Sequence, residues 1–169
     1  MVLKIKNKKI IYVPLAVDIL HSGHLNILNK AKKYGSVVVG LLSDKAIVEY
    51  KKLPTLGFNE RLKIVKNLKN VSKIIVQDTW DYTVVLNQLK PNYFMHGDDW
   101  KNGIQKSIRK KVISELKKNN GKLIEVPYTK NISSTSIKDE LVNRLTPSSR
   151  ISNLKRLILS KKIVRILES

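Results

Sequence analysis

The chain has 169 residues, no cysteine, and 33 basic against 13 acidic side chains, which give a formal net charge of +20. This length suits one domain with a short appendage, and the absence of cysteine excludes disulfides and thiolate metal sites, as is common in cytoplasmic proteins. No apolar run approaches the roughly 18 residues that span a bilayer, and residues 1–10 lack the layout of a signal peptide, so we expect a cytoplasmic protein without a membrane partner.

Short apolar runs alternate with helical patterns along most of the chain. The predicted strands are residues 9–14, 36–42, 73–77, 93–96 and 122–126. Their nearly continuous apolar character is typical of a parallel sheet that is covered on both faces. The predicted helices are residues 24–34, 59–68, 82–90 and 104–119. Gly35 and Gly121 stand where C-cap glycines are expected. Repeated strand–helix–strand units predict an α/β fold with a doubly wound, Rossmann-like five-stranded parallel sheet and helices on both faces.

The pattern changes after Leu145. Residues 146–150 (TPSSR) are turn-like, and residues 151–167 form an amphipathic basic helix that no strand follows. We therefore predict one domain of residues 1–145 and a C-terminal helical tail of residues 146–169 that begins a following domain.

The strongest local signal is His21-Ser22-Gly23-His24, directly after the first predicted strand. N–H groups at a helix N-terminus bind anions, and Gly23 lets a phosphate approach the backbone closely. Two histidines three residues apart share a helical face, so both are candidate donors to phosphoryl oxygens in a transition state. The alternatives are a helix cap with an incidental histidine, or a zinc pair, for which no third ligand is evident.

Two basic residues are further candidates. Lys51 lies in a polar loop after the second strand and could reach phosphates as a mobile point charge, with Lys52 as a rival. Arg61 is early in a helix, where its guanidinium could bridge phosphate oxygens or only pair with Glu60 or another carboxylate.

Polar residues also follow the fourth and fifth strands. Asp98 and Asp99 close the fourth strand, although Asp98 could simply cap a turn. Residues 133–135 (SST) begin the last helix of the domain, where hydroxyl and N–H groups can hold phosphates. An N-cap that forms a capping box through Ser136 and Asp139 is compatible with that role.

Four segments resemble signature motifs of the HxGH nucleotidyltransferase superfamily and of its cytidylyltransferase branch, typified by glycerol-3-phosphate cytidylyltransferase. They are residues 17–24 (VDILHSGH), 50–61 (YKKLPTLGFNER), 93–100 (YFMHGDDW) and 126–138 (VPYTKNISSTSIK). Four matches in the family's order are far more specific than one short motif.

The resemblance implies transfer of CMP from CTP to a small phosphorylated acceptor by a homodimer. It implies catalytic roles for His21, His24 and Lys51. Mg²⁺ is expected as the cofactor, held mainly by the CTP phosphates and by no dedicated protein ligands. By the same resemblance the GDDW loop contacts cytosine and ribose, with Trp100 as a wall of the base pocket. The implied nucleotide-binding residues are Ala16, Val17, Asp18, Gly23, Arg61, His96, Gly97, Asp98, Asp99, Trp100, Tyr128, Ile132, Ser133, Ser134 and Thr135.

Two departures from the family pattern bear on the acceptor. Ala16 stands where the family carries a threonine, and Tyr128 stands where the branch carries an arginine, which changes how the acceptor is held. Residues 151–169 resemble the opening of phosphoenolpyruvate mutase domains, which follow an HxGH cytidylyltransferase domain in bifunctional proteins of phosphonate biosynthesis. The expected acceptor is therefore a phosphonate, either 2-hydroxyethylphosphonate or 2-aminoethylphosphonate.

Two alternatives remain open. One is a cytidylyltransferase for glycerol 3-phosphate or another phosphate ester. The other is a non-catalytic basic module that binds nucleotides or nucleic acid, because a strong positive charge is common in such proteins. However, lysines are spread through every predicted helix and only 6% of residues are aromatic, so we expect no nucleic-acid partner.

Overall fold

A computed structural model describes residues 9–129 and 131–145. The chain divides into two compact units, Met1–Lys130 and Asn131–Ser169, and each is described by itself. The predicted helical tail, residues 146–169, lies outside the described residues, so the domain boundary predicted there stays a prediction. Within the described ranges, no helix is both long enough and apolar enough to cross a bilayer.

The first unit is built on five parallel strands. They are β1 (Ile10–Leu15), β2 (Ser36–Leu42), β3 (Lys73–Gln77), β4 (Tyr93–Gly97) and β5 (Lys122–Val126). Their order across the sheet is β3-β2-β1-β4-β5, and all four neighbouring pairs are parallel. The chain therefore winds outward from β1 in both directions, which places a topological switch point between β1 and β4. Ligands of doubly wound sheets bind at the carboxyl ends of the strands at this point.

Helices cover both faces of this sheet. In the first unit they are α1 (Ser22–Lys32), α2 (Asp44–Val48), α3 (Phe58–Lys66), α4 (Thr83–Leu89) and α5 (Lys106–Lys118). The second unit contains α6 (Ser134–Leu145). The predicted helix 104–119 begins later than expected, because Gly103–Gln105 is a 3-10 turn. The short helix α2 was not predicted; Ser43 caps it by accepting the Ala46 N–H at 3.2 Å.

Alternation along the strands explains why they are apolar on both faces. Ile11 and Val13 of β1 belong to the core cluster that also contains Leu28 of α1 and Val65 of α3. Tyr12, between them, belongs to the opposite cluster, which contains residues of α4 and α5. Successive strand residues point to opposite faces, so a strand with helices on both sides needs apolar residues throughout. The predicted fold class is thus confirmed.

Gly35 and Gly121, the two glycines predicted to cap helices, are required for a reason other than capping. At the end of α5 the left-handed residue is Asn120, with φ 54°, and the Gly121 N–H donates to the Leu116 carbonyl at 2.8 Å. This is a Schellman motif with asparagine in the usual glycine position. A Cβ on Gly121 would lie 2.8 Å from the Pro91 carbonyl oxygen, and one on Gly35 would lie 2.0 Å from the Lys9 carbonyl oxygen. Close backbone approach therefore requires glycine at both positions.

Candidate active site

The paired histidines lie at the N-terminus of α1, just beyond the carboxyl end of β1. His21 is the N-cap, and its Nδ1 accepts the Gly23 N–H at 3.1 Å. The His24 Nδ1 accepts the His21 N–H at 3.3 Å, which completes a capping box. Because each Nδ1 accepts a hydrogen bond, a neutral ring carries its proton on Nε2. Each histidine can therefore offer an Nε2–H donor to a ligand.

Both imidazoles are neutral at physiological pH. Burial lowers the pKa of His21. Burial also lowers the pKa of His24, to about 4, and the nearby His21 and Lys51 add to that shift. The two ring centroids are 3.9 Å apart. The pair is thus a compact set of neutral donors at a helix N-terminus, where partial positive charge already favours an anion.

Gly23 is required by the packing of this turn. A Cβ at this position would lie 2.9 Å from the His21 ring and 3.6 Å from the Thr129 Cβ. Thr129, which follows β5, also accepts a hydrogen bond from the Asn26 side chain at 3.3 Å. Thr129 was missed by the sequence analysis, although it lies inside one of the four motif segments. Through this hydrogen bond, Thr129 links the segment after β5 to α1, the helix that the histidine turn begins.

Lys51 extends the last turn of α2. Its N–H donates to the Ile47 carbonyl at 2.9 Å, and its Nζ lies 5.3 Å from the centre of the Tyr50 ring. Tyr50 in turn contacts Trp80, with ring centroids 5.0 Å apart. The charge of Lys51 lowers the pKa of both His24 and His96. Burial is the largest cause of both shifts, and the charge of Lys51 adds to it at the histidine turn and at the end of β4.

The guanidinium of Arg61 is bonded to protein oxygens, whereas direct contact with a nucleotide requires donors that are open to the ligand. Its side chain is fully buried, and Nη2 bonds Asp44 at 2.7 Å. The remaining bonds go to carbonyl oxygens, which are those of Leu56 (3.0 Å), Leu42 (2.7 Å) and Ala16. Four hydrogen bonds use most of the five donors of a guanidinium. The predicted pairing with a carboxylate is thus realised through Asp44, while Glu60 pairs with Lys63 at 2.7 Å. Arg61 positions the site by holding the ends of β1 and β2 against the start of α3.

The turn after β1, residues 16–18, is bound to the loop that precedes α3. Val17 has φ 52°, a left-handed conformation that is rare for a β-branched residue and costs free energy. Asp18 follows it, and its Oδ1 accepts the N–H groups of Thr55 and Leu56. Ala16 contributes its carbonyl oxygen to Arg61. These three predicted residues form a tight turn that is fixed to residues 55–56.

The GDDW segment forms the second half of the site, at the end of β4. The His96 ring stacks on Trp100, with centroids 4.0 Å apart and planes at 12°. His96 Nδ1 donates to the Gly97 carbonyl at 2.9 Å, which leaves Nε2 as an acceptor in the neutral ring. Burial lowers the pKa of His96, opposed by the carboxylates of Asp99 and Glu125.

The two aspartates of this segment differ in role. Asp98 Oδ1 accepts the Tyr128 N–H at 2.9 Å, so it joins the turn after β4 to the turn after β5. The sequence analysis offered turn capping as an alternative role for Asp98, and here its carboxylate accepts the N–H of a second turn. Asp99 Oδ1 lies 3.9 Å from His96 Nδ1 and is half exposed. The Tyr128 ring is 46% exposed, and a Cβ on Gly97 would lie 3.7 Å from it.

The predicted phosphate-binding serines lie in the second unit. Ile132 and Ser133 directly precede α6, whose first two residues are Ser134 and Thr135. The Oγ of Ser133 accepts the Ser136 N–H at 2.9 Å. The Ser133 N–H donates back to Ser136 Oγ at 2.8 Å. The capping pair is therefore Ser133 with Ser136, and the expected pairing of Ser136 with Asp139 is corrected. The phosphate-binding role of this helix start stays a prediction.

The fold and site together define a doubly wound α/β domain with a histidine-capped helix N-terminus at its switch point. Residues 17–140 match the model of the cytidylyltransferase-like family. The chain therefore belongs to this family and carries an enzyme domain of it.

Relatives agree with this assignment. The bifunctional protein HldE of Desulfatibacillum aliphaticivorans is 28% identical over 144 residues, which cover 83% of this chain and 28% of that protein. FAD synthase of Archaeoglobus profundus is 33% identical over 60% of this chain and 62% of its own length. Ethanolamine-phosphate cytidylyltransferase of Dictyostelium discoideum is 33% identical over 82% of this chain and 38% of its own length. The chain thus spans 28% to 62% of the length of these curated relatives.

Solved structures show the same fold. A lipopolysaccharide core biosynthesis protein from Thermoplasma volcanium superposes with a TM-score of 0.61 at 25% identity, over 75% of this chain and 100% of that one. The pantothenate synthetase of Thermus thermophilus superposes with a TM-score of 0.58 at 16% identity, over 88% of this chain and 66% of that one. The second likeness concerns the fold alone.

Proposed function

We propose that the chain transfers CMP from CTP to a phosphonate and releases pyrophosphate. The observation that carries the proposal is the pair of Nε2–H donors, His21 and His24, at the N-terminus of α1, and the charge of Lys51 acts on His24. This set suits the oxygens of a phosphoryl group, on which charge builds up during transfer. The charge of Lys51 also adds to the effect of burial in lowering the pKa of His96 on the base side of the proposed site.

The reaction needs no general base. The acceptor oxygen is already anionic at neutral pH, so it attacks the α-phosphorus of CTP directly. The new bond joins this oxygen to the α-phosphorus, while the bond from the α-phosphorus to the oxygen bridging to the β-phosphate breaks. Pyrophosphate leaves with that electron pair. His21, His24 and Lys51 stabilise the charge in the transition state, and Ser133, Ser134 and Thr135 hold the leaving group.

CTP enters as its Mg²⁺ complex. Among residues 9–129 and 131–145, no group of three or more His, Asp or Glu side chains is placed to hold a metal. Asp18 and Asp98 already accept backbone N–H groups at the site. We propose that the metal is carried on phosphate and water oxygens, as Mg²⁺ commonly is in nucleotide sites. When bound, Mg²⁺ would neutralise phosphate charge, while the protein residues orient the nucleotide.

The choice of acceptor rests on the sequence. The resemblance of residues 151–169 to phosphonate-forming domains and the replacement of the family's arginine by Tyr128 support a phosphonate. A second candidate is a phosphate ester such as glycerol 3-phosphate or phosphoethanolamine, supported by the relatives named ethanolamine-phosphate cytidylyltransferases.

The test is pyrophosphate release from CTP with a panel of four acceptors. These are 2-hydroxyethylphosphonate, 2-aminoethylphosphonate, glycerol 3-phosphate and phosphoethanolamine. We expect turnover with CTP and a phosphonate, and little with UTP or ATP. Faster turnover with a phosphate ester would favour the second candidate, and preference for ATP would overturn the cytidylyl assignment. Lys51→Gln should lower kcat by on the order of 10²-fold, whereas the matched variant Lys52→Gln should change it little.

A further inference from the structure

Glu125 of β5 lies beside the base side of the site and has no role in the chemistry above. In the parallel pairing of β4 with β5 it is the partner of His96, so both side chains project to the same face of the sheet. Its side chain is only 18% exposed. One oxygen accepts the indole N–H of Trp100 at 2.8 Å.

Arg109 of α5 holds this carboxylate from the other side. Its Nε bonds Glu125 Oε1 at 2.8 Å and its Nη2 bonds Oε2 at 3.0 Å. Such a two-point pairing fixes the plane of a carboxylate, which a single lysine contact does not. Lys101 is also near, with its Nζ 3.7 Å from Oε2. Hydrogen bonding from Arg109 lowers the pKa of Glu125 to about 2, so the group is charged at neutral pH.

The orientation of the Trp100 ring depends on this contact. An indole has a single N–H donor, so a hydrogen bond to a fixed carboxylate selects one orientation of the ring. Trp100 is almost fully buried, and its ring is parallel both to His96 and to Phe94, with planes at 12° and 3°. A row of contacts therefore runs from Arg109 through Glu125 and Trp100 to His96.

We propose that Glu125, anchored by Arg109, is a positioning residue that orients Trp100 and through it His96, and thereby sets the affinity for the nucleotide base. Glu125 itself does not touch the nucleotide. This inference rests on the proposed function, because it places the base beside the segment that contains His96 and Trp100. If Glu125 were only part of a surface ion pair, its loss would change stability and leave nucleotide affinity unaltered.

The affinity test is a double-mutant cycle between Glu125→Leu and Trp100→Phe. The phenylalanine variant keeps an aromatic ring but lacks the N–H. We expect Glu125→Leu to raise the KM for CTP about tenfold with kcat nearly unchanged, the size expected when one buried hydrogen bond is lost. In the Trp100→Phe background the same change should raise KM little further, because the contact is already absent. Additive effects of the two substitutions would overturn the proposal.

Further variants separate positioning from folding. Glu125→Gln keeps an acceptor for the indole and should restore part of the affinity. Glu115→Gln, on α5, removes the same charge from another little-exposed carboxylate, which pairs with Lys118 at 2.6 Å, and should leave KM unchanged. If Glu125→Leu does not fold, Arg109→Gln removes the anchor from a partly exposed position and should still raise KM. An unchanged KM in Arg109→Gln would overturn the anchoring role.

An NMR measurement tests the orientation without CTP. The chain has two tryptophans, so its indole N–H region contains two resonances, and Trp80→Phe assigns them. The Trp100 resonance should shift and exchange faster in Glu125→Leu but not in Glu115→Gln. A resonance unaffected by Glu125→Leu would overturn the proposal. If the shift occurs but the wild-type protein binds no CTP, the orienting contact stands and the proposed function fails.

Discussion

Each histidine of the HSGH turn has two roles, one for each of its ring nitrogens. The Nδ1 atoms of His21 and His24 accept backbone N–H groups and cap α1, whereas each Nε2–H remains available to a phosphate. The sequence analysis treated a helix cap and phosphate binding as alternatives. The geometry allows both at once, so substitutions here affect folding as well as turnover.

Two substitutions at His21 separate these roles. His21→Ala removes both the cap and the donor, so we expect kcat to fall by on the order of 10²–10³-fold and stability to fall by about 1 kcal/mol. His21→Asn keeps a favoured N-cap but lacks the Nε2–H, so turnover should fall equally with little loss of stability. Urea unfolding and CTP turnover measure the two effects. Near-normal turnover of His21→Asn would contradict the catalytic role.

The depressed pKa of His24 predicts how stability depends on pH. The folded-state pKa is about 4, against an ordinary value of 6.5, so between these values the unfolded chain binds more protons. The contribution of neutral His24 is fully present above about pH 6.5 and is lost as the pH falls toward 4. Between pH 7 and pH 5 this group should cost about 2 kcal/mol of unfolding free energy.

His24→Gln is the control for this effect. Glutamine is favoured at this capping-box position and does not titrate, so the variant should lose less stability between the two pH values. Glu125 and Asp81, whose pKa values are lowered to about 2, contribute to acid unfolding only at lower pH. Equal losses in wild type and His24→Gln, measured by urea unfolding, would show that another group controls this range.

At the scale of elements, one buried side chain joins the loops that form the site. Arg61 of α3 bonds oxygens of residues that follow β1 and β2 and of the loop before α3 itself. Its pairing with Asp44 is coupled to the helix, because the second oxygen of Asp44 accepts the Phe58 N–H at 3.2 Å. These contacts come from positions up to 45 residues away in the chain. No local pattern could have predicted them, and the motif alone suggested nucleotide contact.

Arg61→Met tests this positioning role. The substitution leaves the carboxylate of Asp44 and three carbonyl oxygens without their donor, so stability should fall by about 3–5 kcal/mol. The matched control is Glu60→Gln, which breaks the exposed pair with Lys63 and should change stability by less than about 0.5 kcal/mol. If Arg61→Met instead weakened CTP binding without loss of stability, direct nucleotide contact would be the better assignment.

The strands were predictable because they are apolar runs, which in β1 and β2 are buried on both faces, and the short elements were not. Each of the five strands is a nearly continuous apolar run, and their centres agree with the predicted positions. Helix α2 has five residues, too few to show helical periodicity. The glycines beyond α1 and α5 were recognised as helix ends, but their cause is close packing against Lys9 and Pro91, which lie far away in sequence.

At the scale of the whole molecule, the sheet order brings the motifs together. The histidine turn follows β1 and the GDDW segment closes β4, and these strands are neighbours although 77 residues lie between Leu15, the last residue of β1, and Tyr93, the first residue of β4. The four motifs and the rule for doubly wound sheets predict that the site lies at this edge, and the sheet order shows that the strands carrying two of the motifs are neighbours. The side-chain pairs that join them, such as Asp98 with the backbone of Tyr128, depend on tertiary packing and were not predictable.

The proposed division of the chain at residue 146 leads to the last prediction. One variant ends after Leu145 and the other after Lys130, where the two compact units meet in sequence. If residues 1–145 are one catalytic domain, the first variant should keep its CTP turnover and lose less than about 1 kcal/mol of stability, as is common when a terminal segment is not part of a core. The second variant also lacks Ser133, Ser134 and Thr135, so its kcat should fall by on the order of 10²-fold. This loss is expected even if the sheet remains folded, as cooperative unfolding in urea would show.

Turnover and urea unfolding of both truncated chains distinguish the possible outcomes. Loss of several kcal/mol in the first variant would place residues 146–169 in the core of this domain. Full turnover in the second would remove the phosphate-binding serines from the mechanism. Since the N-terminus of a helix favours an anion and α6 carries the three predicted phosphate-binding residues at its start, we expect the loss of activity to appear only when the truncation removes that helix.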